Sequence, residues 1–175
     1  MTDIIKLKKW DYADAASVSV YANNRKIADN LRDGFPHPYS LKDANNFIRD
    51  ALRNDRSVQL FAIDLNGEAI GSIGAVFKED VYRKNVEIGY WLAEDHWGKG
   101  YTLKAISLII KYIFDNFDIE RVYAEPYADN KTSVRVLEKA GFSLEARFRR
   151  NVIKNNIIKD SYIYSILRSE YEQLK

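Results

Sequence analysis

The sequence predicts an α/β domain built on one mixed sheet. Three observations carry that prediction. First, strand-like runs at 57–64, 68–77 and 85–92 follow one another across short connections, and Asn66-Gly67 is a strong hairpin signal between the first two. Second, a stretch with helical periodicity separates 85–92 from a short strand at 121–125, a strand–helix–strand unit that should be parallel and right-handed. Third, alternating runs at 142–152 and 157–167 flank K-N-N and read as a closing hairpin.

The elements are justified in order. Residues 4–8 alternate weakly and read as a first strand. Asp11 to about Ile27 reads as helix, with Asp11 as its N-cap. L-R-D-G-F-P-H-P-Y-S (31–40) is a loop, holding a glycine and two prolines. Ser40 opens the next helix, because S-L-K-D has capping-box spacing with Asp43 in the place of the preferred Glu. Its buried face should be Ala44, Phe47, Ile48, Ala51 and Leu52. In 85–92, Val86, Ile88, Tyr90 and Leu92 alternate with Glu87, Gly89 and Trp91, as a strand requires. Leu103, Ile106, Ile110, Ile113, Phe114 and Phe117 share one helical face, and Leu108 and Ile109 widen it, so this helix is buried on more than one side. Asn130 caps a further helix with Val134, Leu137 and Ala140 inward, and Gly141 ends it.

Composition narrows the function. A chain of 175 residues fits one domain, spanning 1–175. With 27 basic and 25 acidic residues the net charge is +2, which argues against direct nucleic-acid binding over a broad footprint. The absence of cysteine excludes disulfides, thiolate nucleophiles and cysteine metal sites. Two histidines, His37 and His96, are too few for a multi-histidine metal site, so no metal is expected. The first ten residues lack the apolar segment of a secretory leader. No apolar run approaches the ~20 residues that cross a bilayer. The expectation is a cytoplasmic protein without a membrane partner.

The segment W-G-K-G-Y-T (97–102) lies between a strand and a helix. A helix N-terminus presents N–H groups without acceptors, and its dipole favours negative charge. Two glycines allow close backbone approach, and Lys99 adds charge, so the segment has the general form of a pyrophosphate cradle. It is not a P-loop, because Gly100 follows Lys99 and no glycine stands at the required spacing upstream. It is not the dinucleotide fingerprint either, since Leu103 stands where the third glycine belongs.

Together with E-I-G-Y-W-L (87–92) and N-K-T-S-V-R-V-L-E-K-A-G-F (130–142), this segment resembles the GNAT-superfamily acetyltransferases, and within them the RimJ/RimL-like branch. The resemblance covers most of the chain, including F-P-H-P-Y-S-L-K-D-A at 35–44. It implies a mixed, mostly antiparallel sheet of six to seven strands flanked by helices, splayed between Asn85–Leu92 and Val122–Glu125. It also implies acetyl-CoA as co-substrate. Its pyrophosphate would sit on Trp97, Gly98, Lys99, Gly100, Tyr101 and Thr102, and its pantetheine along the backbone of Trp91 and Leu92. Asn130 and Ser133 are implied as further cofactor contacts. Trp97 replaces a basic or amide residue, as is usual in that branch. Thr102 replaces a small Gly or Ala, and L-K follows where T-E is common; both depart from the pattern.

Acetyl transfer to an amine needs a group to take the amine's proton and one to protonate the departing thiolate. By the resemblance Glu87 is the base and Ser133 the thiol-side acid, with Tyr127 the competing donor. A backbone N–H near Leu92 would hold the thioester oxygen. The 32–40 loop, with Phe35, His37 and Tyr39, is implied over the acceptor cleft. Arg147, Arg149 and Arg150 read first as a solvated edge-strand face, second as a steering patch for an acidic peptide. Without cysteine an acetyl-cysteine intermediate is impossible, which leaves direct transfer. Two acceptor classes remain open: the N-terminal amine of a peptide or protein, and small amines such as polyamines, amino sugars or amino-acid-like toxins. An acidic-lined cleft would favour a polyamine, an open cleft near 32–40 a peptide. A non-catalytic acyl-CoA-binding domain is the competing class. The sequence leaves monomer and homodimer open.

Overall fold

The computed structural model describes residues 4–53 and 57–174. Its seven strands form one sheet in the order β1-β2-β3-β4-β5-β7-β6. These are β1 (Ile5–Lys8), β2 (Val58–Leu65), β3 (Glu68–Phe77), β4 (Asn85–Leu92), β5 (Arg121–Ala124), β6 (Ser143–Lys154) and β7 (Ile157–Leu167). Only β4 and β5 run parallel. The fold is therefore the mixed, mostly antiparallel seven-stranded sheet expected. Asn66 and Gly67 both adopt positive φ between β2 and β3, as a two-residue hairpin demands. Asn155 and Asn156 do the same between β6 and β7, so that hairpin runs to Lys154 rather than stopping at Val152.

Helices cover both faces. On one lie α4 (Tyr101–Asn116) and α5 (Lys131–Lys139); on the other α1 (Ala15–Tyr21) and α3 (Leu41–Ala51). Ile106, Ile109, Ile110 and Ile113 of α4 are buried with Val86 and Ile88 of β4, Val122 of β5 and Ile166 of β7. Trp10, Val18, Tyr39, Ala44 and Ile48 form the second cluster, against Ala62 and Ala69.

Two expectations are corrected. The helix from Asp11 to Ile27 is broken into a 3-10 turn at Tyr12–Asp14, then α1, then the short α2 (Arg25–Ala28). Asn23 and Asn24 cause the second break. Asn24 caps α2 through the Lys26 N–H, and Asn23 Oδ1 accepts from the Tyr39 N–H at 3.0 Å, so both side chains compete with helical bonding. Asp11 does cap, in a reciprocal box with Asp14. Leu52 is exposed rather than inward because α3 has ended by then. The other capping readings hold. Ser40 and Asp43 form the capping box of α3, and Asn130 caps α5. A last short helix, α6 (Arg168–Gln173), lacks a strong periodic signal.

Gly71 on β3 is needed for close approach. A Cβ there would lie 2.4 Å from the Trp91 carbonyl oxygen and 3.1 Å from Leu92 Cα, both backbone atoms. Gly71→Ala must push β4 away and is expected to cost ~1–3 kcal/mol, read by urea unfolding.

Candidate functional site

The parallel pairing of β4 with β5 covers only Asn85↔Arg121, Val86↔Val122 and Glu87↔Tyr123. β4 continues to Leu92, but the chain after β5 follows β7 instead. Tyr127 bridges to Ser161, the Ala128 N–H donates to the Asp160 carbonyl, and the Tyr162 N–H donates to the Pro126 carbonyl. A wedge therefore opens between the two strands beyond Glu87. Because successive side chains on a strand point to opposite faces, Glu87 and Trp91 lie on the α1/α3 side and Tyr90 on the α4/α5 side.

At the wide end of the wedge stands the N-terminus of α4. Gly98 (φ 75°) and Gly100 (φ 79°) are left-handed, and a Cβ on either would meet nothing within 4 Å. Backbone conformation, not crowding, selects glycine here. Gly100 is the N-cap residue, and no side chain caps the first turn of α4. By contrast Ser40 caps α3, Asn24 caps α2 and Asn130 caps α5. A 16-residue helix thus begins directly after this glycine turn, beside exposed Lys99 and half-buried Thr102. That arrangement fits a pyrophosphate. The Trp97 side chain also ties this loop down. Its indole Nε1 donates to the Leu92 carbonyl at 2.7 Å and pins the loop to the end of β4. Tyr101 packs its ring near His96, at 6.1 Å between centroids.

On the α1/α3 side, Glu87 is a hub. Its Oε1 accepts from Arg32 Nη2, and its Oε2 accepts from Lys78 Nζ at 2.8 Å and from the Tyr123 hydroxyl at 3.3 Å. Burial alone would raise the carboxyl, but the Lys78 hydrogen bond and the charges of Arg32 and Lys78 outweigh it and hold it below its usual value. Burial also opposes the charge on Lys78, yet its bonds to Glu87 and Tyr123 leave its ammonium raised. Burial pushes the Tyr123 phenol up.

On the α4/α5 side, the Ser133 and Tyr90 hydroxyls are 2.8 Å apart, across the gap between α5 and β4. The Ser133 N–H donates to Asn130 Oδ1 at 3.1 Å, so the helix cap fixes the serine's position. Burial pushes the Tyr90 phenol up to about 12. Either hydroxyl can donate in this bond; with Tyr90 donating to Ser133 Oγ, the serine's own proton is free to point elsewhere. The Tyr127 hydroxyl is committed, donating to the Leu31 carbonyl at 3.1 Å.

The loop over the α1/α3 face is tied at four places. Besides Arg32–Glu87 and Tyr127–Leu31, Lys154 Nζ meets Asp33 at 2.8 Å and the Asn155 amide meets Asp29 at 2.8 Å. Phe35 and exposed His37 line a polar pocket of about 270 Å³ with Asp29, Asp33 and Lys154. Tyr39 is buried in the second core cluster, with its phenol pushed up to about 12 by burial, and its ring lies 5.0 Å from Phe35. Phe35 also meets Trp91 edge-on at 5.9 Å. Of the basic cluster, Arg147 pairs with Asp160, and Arg150 sits at φ 55° in the bulge of edge strand β6. Arg32, Lys78, Tyr90 and Tyr123 escaped sequence reasoning. Only Tyr90 had a signal, its place opposite Glu87 in the β4 alternation.

Among the described residues no group of His, Cys, Asp or Glu could hold a metal ion. Among them too, no helix is long and apolar enough to cross a membrane.

Residues 5–143 match the acetyltransferase (GNAT) domain family. The chain is 34% identical over 168 residues to YdaF of Bacillus subtilis (strain 168), provisionally named a ribosomal N-acetyltransferase, covering 95% of this chain and 81% of that protein. RimL, a ribosomal L7/L12 alpha-N-protein acetyltransferase solved with coenzyme A, superposes with a TM-score of 0.83 at 19% identity, covering 93% of each chain. Spermidine N-acetyltransferase of Vibrio cholerae, solved with CoA and spermine, gives 0.80 at 22% identity over 96% of this chain and 98% of that one. The wedge, the uncapped glycine start of α4 and the family match agree: this chain belongs to the GNAT acetyltransferases and is an N-acetyltransferase.

Proposed function

We propose that the acceptor is the N-terminal amine of a peptide or protein, acetylated by direct transfer. The observation that carries this reading is the state of Glu87. Its charge is already met by Lys78 and Arg32. A polyamine needs several uncompensated carboxylates, whereas a single amine needs one oxygen of one carboxylate. The name of YdaF supports the same reading. The V. cholerae complex with spermine keeps a polyamine as the second reading, and Asp29 and Asp33 beside the polar pocket are the observation in its favour. Those carboxylates have partners, however: Asp29 binds Arg25 and Asn155, and Asp33 binds Lys154.

The residues divide the chemistry across the sheet. Acetyl-CoA, when bound, supplies a thioester whose carbonyl carbon takes the amine and whose sulfur leaves. Gly98, Lys99, Gly100, Tyr101 and Thr102 would hold its pyrophosphate, the backbone of Trp91 and Leu92 its pantetheine, and Asn130 and Ser133 further contacts. Trp97 positions that loop through Leu92. Glu87 takes the proton of the acceptor amine from the α1/α3 side. Ser133 donates toward the leaving sulfur from the opposite side, oriented by Tyr90.

The test is an acceptor panel with acetyl-CoA, read by thiol release. A peptide with a free N-terminal amine is expected to exceed spermidine in kcat/KM, and an N-blocked peptide to be inert. Faster turnover of spermidine would overturn the reading.

A further inference from the structure

Glu87 is held unevenly, and the asymmetry identifies where an acceptor must enter. Oε2 is fixed twice, by Lys78 and by Tyr123. Lys78 is well packed, with 30% of its side chain exposed, and it lies 5.6 Å from the Tyr123 ring centre. Among the described residues Oε1 is held only by Arg32, whose side chain is 75% exposed. An incoming amine can take Oε1 by displacing one solvated side chain; taking Oε2 would dismantle the packed site. The backbone on either side of Arg32 stays anchored, through the Leu31 carbonyl on Tyr127 and Asp33 on Lys154. The freed guanidinium therefore remains beside the amine it has yielded to.

The surrounding charges decide what it meets there. Arg121 stacks 4.6 Å over the Tyr123 ring and is bonded to Glu145. Glu125 accepts from Ser161 and Asn151, and Asp33 is spent on Lys154. Around the Glu87–Tyr123 pair the cations Arg32, Lys78 and Arg121 face the carboxylates of Glu87 and Glu145. Once Arg32 is displaced, its guanidinium has lost the Glu87 carboxylate as partner, and a second positive charge on the acceptor beside it is disfavoured.

We propose that Arg32 keeps the acceptor's place on Glu87 and makes the enzyme select peptide N termini with a carboxylate in the second residue, to which the displaced guanidinium turns. This inference rests on the peptide-amine reading above. Arg32 is a specificity-determining residue in this scheme, and its exposure makes substitution safe for folding.

The experiment compares two peptides that differ only at residue two, Asp against Lys, in wild type, Arg32→Gln and Arg32→Glu. Wild type is expected to favour the Asp peptide by about two- to fivefold in kcat/KM, the scale of one exposed charge pair. Arg32→Gln should level the two, and Arg32→Glu should favour the Lys peptide. Equal use of both peptides by wild type, or the same preference in all three proteins, overturns this inference and leaves the peptide-amine reading standing. If wild type acetylates neither peptide but does acetylate spermidine, both fall together.

Discussion

Gly100→Glu will abolish acetyl-CoA binding in calorimetry, with affinity falling at least ~100-fold, about 2.7 kcal/mol. Two effects contribute and can be separated. A side chain at φ 79° is strained, costing ~1–2 kcal/mol of stability whatever its chemistry. A carboxylate at the start of α4 also opposes the anion that the uncapped first turn attracts. Gly100→Ala carries the strain alone, because its Cβ meets nothing within 4 Å. The alanine variant should therefore lose stability with little loss of affinity, and the glutamate variant should lose both. Equal binding by all three proteins would mean that the cradle lies elsewhere.

Glu87→Gln should lower kcat by ~10²- to 10⁴-fold, the usual contribution of a positioned base, while acetyl-CoA affinity is unchanged. A non-catalytic binding domain would have no turnover to lose. The pH dependence follows from the ion pairs. Burial pulls the Glu87 carboxyl up, and the Lys78 hydrogen bond with the Arg32 and Lys78 charges more than reverses that, so its folded value lies below its unfolded one. The carboxylate is thus ionised at neutral pH, the form a base requires, but a weakened base while both cations stay. Lys78→Met removes one lowering influence, so the acidic limb of the kcat/KM profile should move to higher pH. The sign for stability is opposite to that of a raised group. Glu87 contributes stability above its unfolded value, and that contribution is lost as pH falls through the folded value. The stability gap between wild type and Glu87→Gln should accordingly narrow in acid.

The sheet was legible because its signals are local. Asn66-Gly67 fixes a register within two residues, and the alternation from Val86 to Leu92 needs only its own strand. The change to helical period after Gly100 marked α4, and the Ser40 and Asn130 caps marked α3 and α5. The helix after Asp11 was misread because Asn23 breaks it to serve Tyr39, 16 residues away. The candidate site divides the same way. The cradle, Glu87 and Ser133 lie in contiguous motifs, so their types and spacing could be read. The Arg32–Glu87 and Tyr90–Ser133 contacts join residues 55 and 43 positions apart, and nothing local in the chain announces them. The bond from the Trp97 indole to the Leu92 carbonyl, five residues before it, is likewise invisible in the motif.

The short seam between β4 and β5 gives the molecule the mechanics of a hinged book. The strands β1 to β4 form one leaf, β5 to β7 the other, and three residue pairs make the spine. Other bindings include α4, the Ser133–Tyr90 bond and the loop strapped from Glu87 to Lys154. A ligand lying between the leaves becomes part of the binding, so the tighter it binds the more it stabilises the sheet against opening at this seam. Glu87 is the last residue of β4 paired with β5, so the carboxylate stands where the spine ends and the opening between the leaves begins.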